Sequence, residues 1–345
     1  MNLKIAEFNV LAADEAAWNG FFGVMDEFQL ETSPEDPLLP REKRKALMIA
    51  YESSPYRKVY RFLAFSEENP GEAAGFVSAA VETPSSPSYE SNRHIGNLTV
   101  IAAKKYRGGG LGALLLKRVI TELAAKEPSV SELLTPVTLK SGERFMERLG
   151  ATVSLETAEN RLVLKEVDWA MVEAWAAEGG RRNPGTSLVT VSVIPQEDIE
   201  DYSAAYSETI NQQPLGDVTI KMKYTPEQVR YGEVKNLEQG VDHTTMYTRE
   251  SDGRVSGLTE TMYLAEADYR ATQLLTGVRE QYRGRGLGKL LKARMLLHIR
   301  KEYPGVNYIV TGNADSNGPM LAINNKLGFK KHLPVKLYKL KLNVK

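Results

Sequence analysis

The chain has 345 residues, in which 44 Lys plus Arg balance 44 Asp plus Glu, and it contains no cysteine. At roughly 100 to 200 residues per domain this length predicts two domains. The charge balance argues against nucleic acid, an anionic membrane or a polyacidic substrate as partner, and the missing thiols remove disulfides, cysteine nucleophiles and Cys-based metal sites. Four histidines, His94, His243, His298 and His332, show no ligand spacing, so no metal is expected. The N-terminal stretch lacks a basic region followed by an apolar core, and no run reaches the roughly 18 apolar residues of a membrane span. The expectation is a soluble, cytoplasmic protein acting on a small molecule.

In chain order, Arg57 to Ser66 and Ala74 to Val81 read as strands joined by the turn-forming ENPGE, and the apolar Asn97 to Ala102 reads as a third. This third strand runs into YRGGGLGALLLKR, Tyr106 to Arg118, where Leu111, Leu114, Leu115, Val119 and Leu123 keep helical spacing. The helix must stop before Pro128, and Glu132 to Thr135 reads as a strand. Asp168 to Glu178 reads as an amphipathic helix, and GGRRNPG, Gly179 to Gly185, as a break. The same series then recurs. His243 to Arg249 and Val255 to Leu264 form a hairpin around ESDGR, and Gln273 to Val278 is a strand. A helix is spaced by Leu287, Leu290, Leu291, Met295 and Ile299 and stops before Pro304, and Tyr308 to Thr311 is the strand that follows.

The recurrence is a repeat. Tyr106 falls on Tyr282 at an offset of 176 residues, Pro128 falls on Pro304, Val130 on Val306 and Thr135 on Thr311. Two residues further, FMERLGA from Phe145 falls on INNKLGF from Ile323. The expected division is an N-terminal domain 1–166, a connector 167–186 and a C-terminal domain 187–345. A duplicated domain can replace a homodimer, so a monomer is expected.

Arg283-Gly284-Arg285-Gly286-Leu287-Gly288 lies between a strand end and a helix start, where unpaired N–H groups and the helix dipole attract an anion. Glycine lets the backbone approach a phosphate, and the arginines and Lys289 can add charge. The spacing departs from the P-loop, because Leu290 follows the lysine where Ser or Thr belongs. It also departs from the dinucleotide fingerprint, being G-x-G-x-G.

At these residues the chain resembles the GNAT superfamily of N-acetyltransferases, whose signature is Arg or Gln, two residues, Gly, one residue, then Gly or Ala. Arg283, Gly286 and Gly288 fit it in the second copy, and Arg107, Gly110 and Gly112, with Gly108 in the loop, fit it in the first. The hairpin before the motif and the strand, helix and Leu-Gly-Phe after it extend the resemblance over most of each half. The tandem arrangement is similar to the two-domain acetyltransferases that include mycothiol synthase. The resemblance implies an α/β fold of two domains, each a mixed, mostly antiparallel splayed sheet flanked by helices. It implies acetyl-CoA as co-substrate, its pyrophosphate on the glycine-loop amides, and a strand-end N–H for the thioester oxygen, here that of Val278. Asn313 and Asn317 stand where an asparagine often bonds pantetheine, although Asn317-Gly318-Pro319 is also ordinary turn chemistry.

Acetyl transfer to an amine needs a base, oxyanion stabilisation and a fate for the thiolate. A fixed backbone donor at Val278 would be worth roughly 3 to 4 kcal/mol. Alternation puts Glu260 on one face with Leu258, Met262 and Leu264, where desolvation would raise its pKa and suit it to accept a proton; a carboxylate on a poorly covered face, or one paired with a nearby arginine, is the competing reading. Many family members place a tyrosine four residues before the glycine of Leu-Gly-Phe to protonate sulfur. Asn324 and Met146 stand there, which leaves the acid open. Asp217, between two helix-like stretches, is a candidate for a cationic acceptor or a plain turn residue. The first copy has Ser78 opposite Glu260 and Val137 opposite Asn313, so it is expected to be degenerate. The expected activity is N-acetylation of a primary amine of a small molecule in the C-terminal domain. A catalytically inactive coenzyme A sensor or scaffold is the alternative.

Overall fold

The computed structural model describes residues 3–68 and 71–342, so Asn69 and Pro70 of the ENPGE turn lie outside the described residues. The chain runs β1 (Leu3–Glu7), α1 (Glu15–Thr32), α2 (Arg41–Glu52), β2 (Arg57–Ser66), β3 (Ala73–Glu82), a short α3 (Tyr89–Asn92), β4 (Ile95–Ala102), α4 (Leu111–Lys126), β5 (Glu132–Val137), α5 (Lys140–Arg148) and β6 (Thr152–Val163). It continues with α6 (Trp169–Arg182), β7 (Ser187–Val191), α7 (Ile199–Ile210), α8 (Pro226–Glu238), β8 (Val241–Arg249), β9 (Val255–Leu264), β10 (Arg270–Val278), α9 (Leu287–Glu302), β11 (Tyr308–Ala314), α10 (Gly318–Leu327) and β12 (Lys330–Lys341).

These elements form two compact units that are not contiguous in sequence. Unit 1 comprises residues 1–155, 216–220 and 335–345, and unit 2 comprises 156–215 and 221–334. This differs from the contiguous division 1–166 and 187–345. In unit 1 the end of β12 pairs antiparallel with β5, and in unit 2 the second part of β6 pairs antiparallel with β11. Each copy therefore closes the sheet of the other with its last strand. Hydrophobic pattern fixes which face a strand buries but not which edge it joins, so a contiguous reading misses the exchange.

In unit 1 β1, β2, β3 and β4 pair antiparallel, and β4 then pairs parallel with β5 over only Ile95–Asn97. Parity sorts the two faces. Tyr60, Phe62 and Ala64 meet Leu115, Val119 and Leu123 of α4, while Leu63 and Phe65 meet Trp18, Phe21 and Phe22 of α1. Each leucine buried this way contributes about 2 kcal/mol. Unit 2 repeats the plan: β7 to β10 are antiparallel and β10 pairs parallel with β11 only over Arg270–Thr272. Helix α9 covers one face and α7 the other.

The predicted break at GGRRNPG is corrected by the fold. Helix α6, capped by Asp168, continues through Gly179 and Gly180 to Arg182. A Cβ at Gly179 would stand 2.7 Å from Leu290 Cβ, so this glycine lets α6 approach α9 instead of ending the helix. Among the described residues no helix is long and apolar enough to cross a membrane.

Candidate active site

Both glycine loops take the backbone that their sequence requires. Gly108, Gly110, Gly284 and Gly286 have φ of 81°, 88°, 79° and 84°, a region that L side chains avoid. Gly110 and Gly286 cap α4 and α9 without any side-chain cap; in unit 1 Ala113 N–H turns back to Gly110 O at 3.1 Å, while in unit 2 the first-turn amides of Leu287, Gly288 and Lys289 are left for a ligand. The cations nearby are largely engaged by the protein itself. Arg283 donates to Gln212 Oε1 at 2.5 Å. Arg285 donates to Asn183 Oδ1, Thr186 Oγ1 and Glu250 Oε2 at 2.9, 2.7 and 3.0 Å, and Lys289 lies over Trp175 at 5.3 Å. In unit 1 Arg107 grips Glu31 with both Nη atoms, at 2.8 and 2.7 Å, and donates from Nε to Ala102 O. The signature arginine thus ties each loop to the preceding helical segment, and the backbone amides remain as the anion-binding groups. Gly112 and Gly288 serve packing, with Cβ positions 3.2 Å from Phe145 and 3.5 Å from Ile323.

Strand β10 separates from β11 after Thr272, and this splay opens a cavity of about 50 Å³ lined by Leu274 and Thr276 of β10, Thr311 and Asn313 of β11, Lys292 and Asn317. Arg279 N–H donates to Ser256 O at 2.9 Å. Ladder bonds alternate along an antiparallel strand, so the N–H groups of Val278 and Thr276, opposite Gly257 and Thr259, point away from β9 toward the open side. The register of β9 and β10 shifts between Gln273 and Thr276, a bulge of Leu274 and Leu275 directly opposite Glu260.

Glu260 is 4 % exposed. It accepts a hydrogen bond from Tyr202 OH at 2.8 Å, is bonded by Tyr206, and lies 3.6 Å from His243 Nε2. Burial raises its pKa above the ordinary carboxylate value, against the opposing pull of His243 and the two hydroxyls. Burial and the Glu260 charge hold Tyr202 and Tyr206 far above the ordinary phenol value, so both stay neutral donors. These groups line a second cavity, of about 200 Å³, with Tyr224, Val229, Glu233 and Met262. Leu274, at the bulge, lines both cavities.

The other predicted residues divide. Asn313 lines the splay and accepts from Asn324 Nδ2 at 2.6 Å, while Asn317 caps α10 through Met320 N–H at 3.4 Å, so it performs turn chemistry at the rim of the same cavity. Asp217 is corrected as an acceptor-binding residue. It belongs to unit 1, where its carboxylate takes Lys339 Nζ at 2.6 Å, so its cationic partner is already a side chain of the protein. Five residues escaped the sequence reading: His243, Tyr202, Tyr206, Gln273 and Lys292. The hairpin register could have found the first, since Thr245 lies opposite Glu260 and His243 two positions on shares its face.

A family model described as the acetyltransferase (GNAT) family matches residues 24–151. No curated protein sequence matches the chain. Among solved structures, a tandem GNAT protein from the clavulanic acid biosynthesis pathway is 19% identical with a TM-score of 0.71, covering 99% of this chain and 98% of that one. A GCN5-related N-acetyltransferase from Sphaerobacter thermophilus is 14% identical with a TM-score of 0.64, covering 98% and 95%. A glucosamine N-acetyltransferase region of a fungal multi-domain GH3 β-N-acetylglucosaminidase is 13% identical with a TM-score of 0.65, covering 98% of this chain and 38% of that one. At these identities the likeness is one of fold, and it extends over both units. The acetyltransferase (GNAT) family model thus covers residues 24–151, and the chain as a whole shares the fold of a tandem GNAT protein.

Proposed function

We propose that unit 2 transfers an acetyl group from acetyl-CoA directly to the primary amine of a small molecule, while unit 1 braces the fold. The observation that carries this reading is that the splay cavity and the tyrosine-lined cavity share Leu274 as a wall, opposite a buried carboxylate. The loop amides of Leu287 to Lys289 are suited to the pyrophosphate and the outward edge of β10 to the pantetheine arm. The Val278 N–H is suited to the thioester oxygen, where charge develops as the amine attacks. Amines arrive protonated at neutral pH, and Glu260, its affinity for protons raised by burial, takes that proton. His243, partly exposed and 3.6 Å away, offers a route from Glu260 to solvent. The cavity walls, Tyr202, Tyr206, Tyr224, Val229 and Met262, favour an amine with an apolar or aromatic body.

The test is thiol release from acetyl-CoA across a panel of small amines, with Gly286→Asp and Gly110→Asp as matched variants. Each puts a carboxylate and a disfavoured φ at one helix cap. Amine-dependent release lost in the first and kept within twofold in the second is expected. Tight binding of acetyl-CoA with no release for any amine would instead favour the inactive sensor or scaffold.

A further inference from the structure

Lys292 sits on the sheet-facing side of α9 and is 1 % exposed, an unusual place for an ammonium. Its Nζ donates to Gln273 Oε1 at 3.0 Å and lies 5.4 Å from the Phe329 ring. Gln273 in turn donates to Thr259 Oγ1 at 2.9 Å, and Thr259 and Thr276 share a hydrogen bond of 2.7 Å, so the network ends at the bulge. Its recorded neighbours, Gln273 and Phe329, are uncharged, as are Thr276, Thr311 and Asn313, which line the splay cavity with it. Among the described residues no carboxylate offsets the cost of its charge, and burial alone pushes the ammonium down to about 7 from the usual 10.5.

A buried lysine without a counter-ion is expensive to keep for structure alone. A fold that needed only volume would hold an apolar residue there, as unit 1 does with Leu116 at the matching turn of α4. Lys292 is also the one ionisable residue among those lining the splay cavity. The base is elsewhere, since Glu260 lines only the second cavity. An amine that attacks from the second cavity drives the leaving sulfur back into the first, where Lys292 waits.

We infer that Lys292 is the acid that protonates the departing sulfur. This rests on the acetyl-transfer reading of unit 2. As the amine nitrogen bonds to the acetyl carbon, the C–S bond breaks with its electron pair on sulfur. Lys292 Nζ gives sulfur a proton; Glu260, having already passed the first proton of the incoming ammonium to solvent by way of His243, takes the second proton that the nitrogen loses as the amide forms, and solvent restores both groups between turnovers. A free thiol holds its proton up to about 8.5, so transfer from an ammonium of about 7 runs downhill.

The experiment compares wild type with Lys292→Leu, the residue that unit 1 already accommodates, and with Lys292→Met as a second replacement, each checked for an intact thermal transition. With acetyl-CoA, kcat should fall about 100-fold. With an acetyl thioester of an aryl thiol, which leaves without protonation, kcat/KM should fall less than about fivefold. In wild type kcat with acetyl-CoA should decline as pH rises above about 7, because the acid loses its proton, and that limb should vanish in both variants. A readout independent of turnover is the NMR titration of lysine side chains. Coenzyme A should raise the Lys292 midpoint, and desulfo-coenzyme A, which lacks the sulfur, should not. Equal losses with both donors, or equal midpoints with both ligands, would overturn the assignment. No turnover by wild type with either donor would remove the acetyl-transfer reading and this inference with it.

Discussion

The two units hold the same frame around opposite contents. Both have a short parallel pairing followed by a splay, both cap a 16-residue helix with a left-handed glycine, and both lock the signature arginine. Unit 2 fills the matching positions with Glu260, Gln273 and Lys292, where unit 1 has Ser78, Leu98 and Leu116. The bulge opposite Glu260 has no counterpart either, since β3 and β4 pair without interruption from Gly75 to Val81. Between the first helix and the sheet, unit 2 keeps a cavity of about 200 Å³. Unit 1 packs Phe8, Trp18, Phe21 and Phe76 there, with Phe21 4.9 Å from Phe76 and 5.2 Å from Phe8. Beside them lies the buried Arg61–Glu52 pair, with Arg61 opposite Ser78 as Thr245 lies opposite Glu260. The glycine loop is therefore a property of the frame, and the two units differ in what the splay and the helix-to-sheet space contain.

The largest expected effect separates the units by their carboxylate. Glu260→Gln keeps the shape and the Tyr202 hydrogen bond but cannot accept a proton, so kcat should fall about 100- to 1000-fold. The wild-type rise of kcat with pH, through the raised pKa of Glu260, should disappear with it. Ser78→Ala should leave kcat within twofold, and a loss of similar size there would place catalysis in both units. Next comes the charge of Lys292, read as stability. Its folded pKa is depressed, so between about 7 and 10.5 the unfolded chain holds a proton that the folded chain does not, and stability rises with pH across that window. At about 1.4 kcal/mol per unit the total is on the order of 4 to 5 kcal/mol. Lys292→Leu should therefore be more stable than wild type near pH 7, with the gap closing toward pH 10.5 in urea titrations. Parallel curves for the two proteins would mean that Lys292 is not buried as a titrating amine.

Much of the frame was legible because it rests on local rules. The hairpins around ENPGE and ESDGR, the glycine caps and the helix ends before Pro128 and Pro304 follow from backbone preferences that a short window carries. The burial of Glu260 was expected from strand alternation, although β9 is buried on both faces there, with Thr259 and Thr261 covered as well. Lys292 was not, because Leu290, Leu291 and Met295 already satisfy the helical pattern, and a lysine among them reads as a solvated residue until the sheet covers it. Asp217 misled for the converse reason: its partner Lys339 lies 122 residues away, beyond any local signal. The family model matches residues 24–151, whereas His243, Glu260 and Lys292 lie outside that match.

The smallest effect is expected from disturbing the packed contents of unit 1. Burial raises the pKa of Glu52 against the pull of Arg61 and lowers that of Arg61 against the pull of Glu52, so each charge is tolerated only because of the other. Arg61 also lies 5.6 Å from the Phe21 ring and 5.9 Å from that of Phe8. Glu52→Gln leaves a buried guanidinium without its counter-charge and should cost about 3 kcal/mol in urea unfolding. Replacing both residues with methionine should recover most of that loss, since two apolar side chains suit the aromatic surroundings and neither charge is left alone. Throughout, kcat for amine acetylation should stay within twofold, because no group of the proposed reaction is touched. If kcat instead falls in the single variant and returns in the double, the aromatic filling of unit 1 is coupled to catalysis, and the distinction between a bracing unit and a working one fails.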